Sequence, residues 1–466
     1  MYDTLIIGAG MSGLAAGIRL AMYDQKVCIV EKHWTIGGLN SFYRLRGRDY
    51  DVGLHALTNI TPKGTKKGPL ARLLRQLRFS WDDFQVSPQI GSQVVFPDAR
   101  LAFDNNPDLL AEEVAREFPA QADNYQRFIA SIADYNDLTD EHQQLSAREV
   151  LSSYLTDPKL VEMLFCPLMF YGSAREHDMD WGQFCIMFRS IFLEGLGRPH
   201  KGVRLILKNL VKKYKALGGE LRLRAGVKQM HIFDGKVRGV ELEDGTQIEA
   251  RRVLSSAGWV ETMRMCGDGQ PAAPSRAAGK LSFCETISTL DVDPKQLDYD
   301  RTITFFNDSD EFAWKAPDVP CDLRSGVVCS PNNFAYDEAL GEGVMRITVL
   351  ANFDYWRSLH DPATGSGSDN EAYQVEKARW YDRIIDSAVR FVPDYRPRVI
   401  ETDMFTPTTI VRFTGHDNGA VYGAPEKQLD GTTHLDNLFI CGTDQGFVGI
   451  VGSIVSGIGM ANLHCL

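Results

Sequence analysis

Residues 1–32, MYDTLIIGAGMSGLAAGIRLAMYDQKVCIVEK, place a glycine-rich turn between two apolar runs. We interpret Thr4–Ile7 and Val27–Val30 as buried parallel strands, and Ser12–Tyr23 as the helix that joins them. Glycine weakens strands and helices alike, so its concentration at the end of a strand indicates more than packing. In a strand–turn–helix unit, free N–H groups and the positive end of the helix dipole can bind a phosphate.

Three glycines in this turn, Gly8, Gly10 and Gly13, form the pattern G-x-G-x-x-G. In a βαβ unit these positions allow a tight turn, a pyrophosphate against the backbone and close helix–strand packing. Glu31 lies 18 residues after Gly13, where a carboxylate accepts hydrogen bonds from an adenosine ribose and would repel a 2′-phosphate. A turn that is only structural is the alternative. The pattern predicts a dinucleotide site formed by Gly8, Gly10, Met11, Ser12, Gly13, Glu31 and Lys32.

The next segment favours FAD over NAD. A second glycine pair, Gly37-Gly38, would let the backbone pass close to a long dinucleotide again. Phe42–Leu45 and Arg48–Val52 are predicted to form a β-hairpin around Gly47. Dehydrogenases with a mobile nicotinamide do not usually carry this extension, so we expect FAD.

This N-terminal block resembles the FAD-binding N-terminus of the amine-oxidase-like flavoproteins. Its DVGLH motif, Asp51 to His55, is most similar to the carotenoid isomerase and retinol saturase branch of the phytoene desaturase superfamily. The resemblance implies that Leu39, Asn40 and His55 also contact the cofactor. Leu39 stands where many relatives carry arginine, so no basic side chain is expected to reach the cofactor from this position.

A later segment, residues 218–257, resembles the second FAD-contacting segment of the same superfamily. It follows a predicted helix, Val203–Leu217, and alternates strands with two Asp-Gly hairpin turns. Val253–Ala257 is interpreted as a buried strand that returns to the first sheet. The resemblance implies that the backbone near Val227 pairs with the adenine.

The C-terminal segment repeats the strand–turn–helix pattern. Leu438–Cys441 is a predicted strand, followed by the turn Gly442-Thr443-Asp444 and a helix over Gly452–Leu463. Backbone N–H groups at such a helix start can bind an acceptor-rich group. The resemblance implies that Asp444 binds the ribityl–phosphate region and that nearby amides face the isoalloxazine. The implied contacts are Gly442, Asp444, Gly449, Ile450 and Val451.

The matching segments are far apart in the chain, and 466 residues exceed the size of one hydrophobic core. The resemblance implies an α/β fold: a Rossmann-like, GR2-type FAD-binding domain with an interleaved α+β substrate domain and a helical, membrane-facing part. We expect residues 1–80, 200–275 and 420–466 to form the FAD-binding domain. Residues 81–199 and 276–419 are then the substrate-binding domain.

An almost wholly apolar helix is predicted over Trp181–Gly197. Such a helix is either buried core or the lining of an apolar cavity, and the residues leave both alternatives open. The resemblance favours a tunnel for a long hydrocarbon.

Three residues are candidates for proton transfer. A flavin exchanges hydride at N5, so the protein must place a C–H or C=C bond there and manage one proton. His55, His416 and Tyr422 are the candidates, and a histidine bonded only to backbone carbonyl is an equal alternative for His55. The ten histidines show no ligand spacing such as H-x-x-x-H, so we expect no metal site.

Composition limits the classes of binding partner and the cellular compartment that we expect for this protein. The net charge of −11 argues against nucleic acid. The nine cysteines contain no C-x-x-C pair, which indicates a reducing compartment, and no signal peptide or long apolar run is visible. We therefore expect a cytoplasmic protein. Basic runs over 63–78 and 198–215 predict peripheral docking on an anionic membrane, with a solvated helix face as the alternative.

Together these features predict an FAD-dependent oxidoreductase that acts on carbon–carbon bonds of a long isoprenoid or carotenoid-like polyene. Desaturation, isomerisation and saturation use the same parts, and the residues leave the three open. The alternatives are a flavin amine oxidase or porphyrinogen oxidase on the same scaffold, and a non-enzymatic prenyl-binding escort protein. The electron acceptor or donor is unknown, since no second dinucleotide fingerprint is visible.

Overall fold

The computed structural model describes residues 1–466 except 54, 134, 136–144, 268–276 and 361–369. Leu54 of the DVGLH motif and residue 275, a predicted domain boundary, lie outside the described residues. The strands are β1 (Tyr2–Ile7), β2 (Val27–Val30), β3 (Phe42–Leu45), β4 (Arg48–Asp51), β5 (Val86–Pro88), β6 (Ser92–Phe96), β7 (Ala99–Phe103), β8 (Gly197–Pro199), β9 (Glu220–Arg222), β10 (Val227–Phe233), β11 (Lys236–Leu242), β12 (Gln247–Ser255), β13 (Ser282–Leu290), β14 (Ile303–Asn307), β15 (Ser325–Cys329), β16 (Gly343–Ala351), β17 (Val399–Phe405) and β18 (Leu438–Ile440). The α-helices are α1 (Met11–Ala21), α2 (Pro69–Leu77), α3 (Trp81–Phe84), α4 (Pro107–Glu117), α5 (Ala122–Ala133), α6 (Ala147–Tyr154), α7 (Pro158–Gly172), α8 (Trp181–Phe188), α9 (Val203–Ala216), α10 (Trp259–Cys266), α11 (Phe353–Ser358), α12 (Glu371–Ala388), α13 (Pro407–Thr414) and α14 (Gly449–Met460).

The first sheet is centred on β1 and has the order β10-β11-β12-β1-β2-β9, with β18 beside β12. β1 pairs in parallel with β2 and β12, and β12 pairs in parallel with β18. Leu5 and Ile6 belong to different core clusters and are both fully buried, as expected for a parallel strand covered on both faces. This sheet confirms the mixed α/β class.

The second sheet has the order β17-β13-β16-β15-β14-β6-β7. Its pairs are antiparallel except for β14 with β6. Alternation along β13 separates two faces: Phe283 joins the aromatic core around α5–α8, whereas Cys284 packs with α12. Glu285 therefore lies on the same face as Phe283. The division of the chain into two domains stays a prediction.

The stretch predicted as a possible tunnel wall is packed core. Phe184, Phe188 and Ile191, in α8 and the π-helical turn Arg189–Leu193, have no exposed surface. Phe128 of α5 packs against both phenylalanine rings. Because protein atoms cover these side chains completely, the core alternative holds and the tunnel interpretation is wrong for them.

The basic runs lie on α2 and α9. Arg72 and Arg75 of α2 are exposed, whereas Leu73 and Leu74 are buried in the core, so the apolar face of α2 is not available to lipid. Lys213 of α9 donates a hydrogen bond to the Arg78 carbonyl oxygen, which brings the two helices together. Within the described ranges, no helix has the length and apolar character needed to span a bilayer. The membrane-facing role stays a prediction.

Candidate active site

Packing alone requires two glycines of the turn after β1. A Cβ at Gly13 would lie 2.1 Å from the carbonyl oxygen of Gly8. A Cβ at Gly8, where φ is +100°, would lie 2.4 Å from Oγ of Ser256. These contacts hold the end of β1 against the first turn of α1. Two of the three glycines in the pattern are therefore explained without any ligand.

Three other glycines, Gly10, Gly38 and Gly449, have open space beside them. No described atom lies within 4 Å of a Cβ built at any of the three. Gly10 is the N-cap of α1 and Gly449 is the first residue of α14, and neither helix start has a side-chain cap. Bare backbone with room beside it, at two helix starts, is what an elongated cofactor with phosphate groups requires. The residues present fit FAD.

The segments predicted to bind the cofactor are in direct contact. The N–H of Gly37 donates to the Ala9 carbonyl oxygen at 3.0 Å. A Cβ at Gly457 of α14 would lie 2.1 Å from the Ser12 carbonyl oxygen, so α14 and α1 touch through their backbones. The remaining predicted contacts lie at the same helix starts or turns: Met11 begins α1, Leu39 and Asn40 lie in the 3-10 turn Gly38–Asn40, and Ile450 and Val451 lie buried in the first turn of α14.

Glu31 is fixed at the end of β2. Its carboxylate accepts hydrogen bonds from the N–H groups of Ala9 (2.8 Å) and His33 (2.9 Å). Burial raises the pKa of Glu31, and these two bonds oppose the rise. The N–H of Ala225 donates to the Glu31 carbonyl oxygen at 2.8 Å, which brings the start of β10 and Val227 toward this residue. The adjacent Lys32 is exposed.

Asp444 joins three segments of the site. Its buried carboxylate accepts the N–H groups of Trp259 (2.6 Å) and Ala424 (2.8 Å) and lies 3.7 Å from Nζ of Lys427. Burial lowers the pKa of Lys427 to about 8, although Asp444 opposes the shift. The nearby Gly442 N–H donates to the Ser456 hydroxyl of α14 at 2.7 Å. Asp444 therefore holds these segments together, and its predicted contact with the ribityl–phosphate region stays a prediction.

His55 lies on a buried group of polar residues on the second sheet. Its Nε2 is 3.1 Å from Oγ1 of Thr348 and 3.5 Å from Oε2 of Glu285. Glu285 forms an ion pair with Arg346, and both side chains are almost completely buried. Burial raises the pKa of Glu285, but Arg346 and His55 outweigh it and lower the pKa to about 2. An anionic carboxylate is therefore held beside the imidazole.

The partners of His55 were not anticipated from the sequence. Glu285 pairs across the sheet with Thr348, and Ile287 pairs with Arg346, so all four lie on one face of β13 and β16. The sequence does contain an indication of this cluster. Glu285 and Arg346 are the charged residues of otherwise uncharged strands, SFCETISTL and GVMRITVLA. A charge in the middle of a buried strand indicates a partner or a site.

The other two proton-transfer candidates lie elsewhere. Nδ1 of His416 is 3.5 Å from Glu261, and a Cβ at Gly258 would contact both His416 and Asp444, so His416 belongs to the Asp444 side of the site. Burial lowers the pKa of His416, but Glu261 outweighs it and the pKa is raised. The Tyr422 hydroxyl donates to the Phe170 carbonyl oxygen. That bond occupies its proton, so the geometry argues against the predicted proton transfer by Tyr422.

An aromatic wall adjoins the start of α14. Phe283 of β13 lies 6.1 Å from Phe170 and 5.9 Å from Tyr422, measured between ring centroids. At the end of the same helix as Phe170, a Cβ on Gly172 would lie 2.4 Å from Cγ2 of Val448. Val448 is the N-cap of α14. The wall is thus continuous with the helix start that has open backbone beside it.

Comparison with known proteins gives matches along the whole chain. Residues 11–259 match the family described as flavin containing amine oxidoreductase. The prolycopene isomerase of Arabidopsis thaliana is 22% identical, over 98% of this chain and 82% of its own length. The all-trans-retinol 13,14-reductase of Danio rerio is 20% identical, over 98% of this chain and 84% of its own length.

Solved structures show the same fold at low identity. An oxidoreductase from Methanosarcina mazei superposes with a TM-score of 0.66 at 16% identity, covering 98% of this chain and 99% of that one. Putrescine oxidase superposes with a TM-score of 0.63 at 15% identity, covering 99% and 98%. The family match spans more than half of the chain and includes Gly13, Glu31 and the predicted second FAD-contacting segment. This chain belongs to the flavin containing amine oxidoreductase family and is an FAD-dependent oxidoreductase.

Proposed function

We propose that the protein acts on carbon–carbon bonds of a long, apolar polyene of the carotenoid or retinoid type. The observation that carries the proposal is the position of His55 beside the buried ion pair of Glu285 and Arg346. Glu285 and Phe283 share one face of β13, so the imidazole and the wall belong to the same side of the sheet. The names of the relatives, an isomerase of prolycopene and a reductase of retinol, support the same substrate class.

We assign different parts of the cofactor to different segments of the site. We assign the pyrophosphate to the first N–H groups of α1 beside Gly10, and the adenosine ribose to Glu31. The open backbone at Gly449 is assigned to the flavin ring. Bound FAD supplies hydride exchange at N5.

His55 is proposed to move the proton. Its Nε2 is held by Thr348 and Glu285, which leaves Nδ1 to exchange a proton with the substrate carbon. In this proposal His55 holds the proton between the two half-reactions. The aromatic wall excludes water from the reacting bond. Desaturation, isomerisation and saturation all need this same exchange.

Oxidation of a cationic amine is the second candidate, since putrescine oxidase shares the fold. An ammonium substrate needs a net negative charge near the reacting carbon. The carboxylate of Glu285 is already paired with Arg346, so it is not available to pair with an ammonium group. The ion pair therefore disfavours amine oxidation.

Anaerobic incubation of the FAD-loaded protein with candidate substrates of three chemical classes tests the proposal. Polyenes, primary amines and a porphyrinogen are each added to oxidised and to chemically reduced protein, and flavin absorption and product spectra are followed. We expect polyenes to change colour or double-bond geometry, and amines to leave the flavin oxidised. Flavin bleaching by amines alone would overturn the proposal.

A further inference from the structure

A cavity of about 620 Å³ lies between the β3–β4 hairpin, the start of α9 and the second sheet. Its apolar wall includes Ile287 and Val344, which lie on the same sheet face as Glu285. Arg346, the ion-pair partner of Glu285, also lines the cavity. The cavity therefore extends to the residue that holds the His55 cluster together.

Four arginines line this cavity, and each is compensated by a carboxylate. Two of the pairs, Arg198 with Asp51 and Arg346 with Glu285, are buried, so their charges are held in fixed positions. The pairs are Arg48 with Glu342 (2.7 Å), Arg198 with Asp51 (2.5 Å), Arg204 with Asp49 (2.7 Å), and Arg346 with Glu285. These arginines shape the cavity but leave it with little net charge.

Two lysines at the cavity differ from the arginines. Lys201 and Lys208 are exposed, and in the ranges that the structure describes no ion pair involves either of them. Gly202, the N-cap of α9, lies against the carboxylate of Asp51, which already pairs with Arg198, so the positive charge at this end of the cavity comes from the two ammonium groups. In a chain with a net charge of −11, the mouth of this cavity is a local positive site.

We infer that the substrate is an amphipathic polyene with an acidic end group, a carboxylate or phosphate, that binds at Lys201 and Lys208. Its hydrocarbon chain lies along Ile287 and Val344 and leads toward His55. A neutral polyene has no group that gains from the positive mouth, whereas an acid is attracted to it and oriented by it. This inference rests on the proposed function and adds the chemical class of the substrate.

Binding titrations test the inference with two probes of equal length, retinoic acid and its methyl ester. Each is added to the FAD-loaded protein, and the change in flavin fluorescence gives a dissociation constant. We expect the acid to bind about tenfold more tightly than the ester at low salt, with the difference shrinking as salt is added. In the K201Q/K208Q variant the acid should bind no better than the ester. The control K212Q/K215Q removes two exposed lysines of the same helix that lie outside the cavity, and should keep the preference.

Several outcomes would overturn the inference. Equal binding of acid and ester by the unmodified protein, or an equal loss of preference in both double variants, would remove the role of the mouth lysines while leaving the polyene proposal intact. Complete displacement of the acid by an equal concentration of acetate would identify a small-anion site instead. Failure of both probes to bind would overturn the polyene proposal, and this inference with it.

Discussion

The surroundings of His55 place an unusual amount of charge in a protein interior. Glu285 and Arg346 are each 2% exposed and lie on neighbouring strands. A buried ion pair adds little stability relative to apolar residues, yet removing one partner leaves the other uncompensated, at a cost of about 3–5 kcal/mol. The pair is best explained by what it does for its neighbour, which is to hold an anion beside an imidazole.

Replacing His55 with glutamine tests its proposed role. His55→Gln keeps a hydrogen-bonding side chain but cannot carry a proton, so we expect the polyene reaction to slow by about 100-fold or more. Single-turnover kinetics, followed by flavin absorption, measure the effect. His231→Gln is the control, because His231 is exposed on β10. An unchanged rate in His55→Gln would exclude His55 as the proton carrier.

Replacing Arg346 with methionine tests the ion pair. Arg346→Met leaves the Glu285 carboxylate buried without its main partner, so the free energy of unfolding should fall by about 3–5 kcal/mol. The double variant Glu285→Gln/Arg346→Met removes both charges and should recover much of that loss. Denaturant unfolding measures all three proteins. Equal stability of the single and double variants would contradict a direct interaction.

The lowered pKa of Glu285 gives a pH dependence with a definite sign. Its pKa falls from 4.5 in an unfolded chain to about 2 in the folded protein. The stabilisation is therefore fully present above pH 4.5 and is lost as the pH falls toward 2. Relative to Glu285→Gln, the unmodified protein should lose unfolding free energy across this window. A difference between the two that does not depend on pH would argue against the shift.

At the scale of elements, the starts of α1 and α14 both have bare backbone beside them, and the start of α1 packs against the C-terminal half of α14. α1 and α14 touch where Gly457 lies against Ser12, and Gly10 and Gly449 have room next to them. The same glycine pattern thus serves two purposes, since Gly8 and Gly13 are required for packing. Substitution can separate these purposes.

We expect Gly10→Ala to reduce FAD binding and Gly13→Ala to reduce the stability of the fold. Gly10 has φ −75° and open space, so alanine should leave the apoprotein folded while its methyl group occupies the space assigned to the pyrophosphate. Alanine at Gly13 would meet the Gly8 carbonyl at 2.1 Å and should destabilise the fold itself. Flavin absorbance of the purified proteins and thermal unfolding of the apoproteins distinguish the two effects. Full FAD content in Gly10→Ala would refute the assignment.

The sequence predicts the elements that depend on local pattern. β1, α1, β2 and the β3–β4 hairpin follow from apolar runs, glycines and turn residues within 51 positions, and the structure has all of them. α14 begins at Gly449, less than one turn before the expected Gly452, at a helix start that has no side-chain cap to mark it. The His55 cluster could not be predicted, since Glu285 and Arg346 meet only through sheet register 61 positions apart. The residues of the α8 region do not distinguish a core from a tunnel, because burial in either needs the same side chains, and the tunnel favoured by the resemblance is not what the structure has.

At the scale of the whole molecule, the acidic chain carries a basic face. Arg72, Arg75 and Arg78 of the α2 region are exposed on one side of it, and α9 contributes exposed lysines. Since the leucines of α2 point into the core, any membrane contact here must be electrostatic and not insertion of apolar side chains.

Vesicle binding tests this face. We expect sedimentation with vesicles of anionic lipid at low salt, and little with neutral vesicles. Each exposed arginine should contribute about 1 kcal/mol, so the triple change of Arg72, Arg75 and Arg78 to glutamine should weaken binding about 100-fold. Cosedimentation at increasing salt measures both effects. Unchanged binding by the triple variant would show that this face does not dock.

The first sheet takes its strands from distant parts of the chain, with β18 pairing with β12, and α14 lies against α1. During synthesis on a ribosome, the N-terminal two-thirds therefore emerges with one sheet edge uncovered and without the second helix start. Residues 438–460 must leave the exit tunnel before α14 can pack against α1 and complete the candidate cofactor site. Flavin loading should accordingly be a late event in biogenesis, and chains released early should be colourless and depend on chaperones.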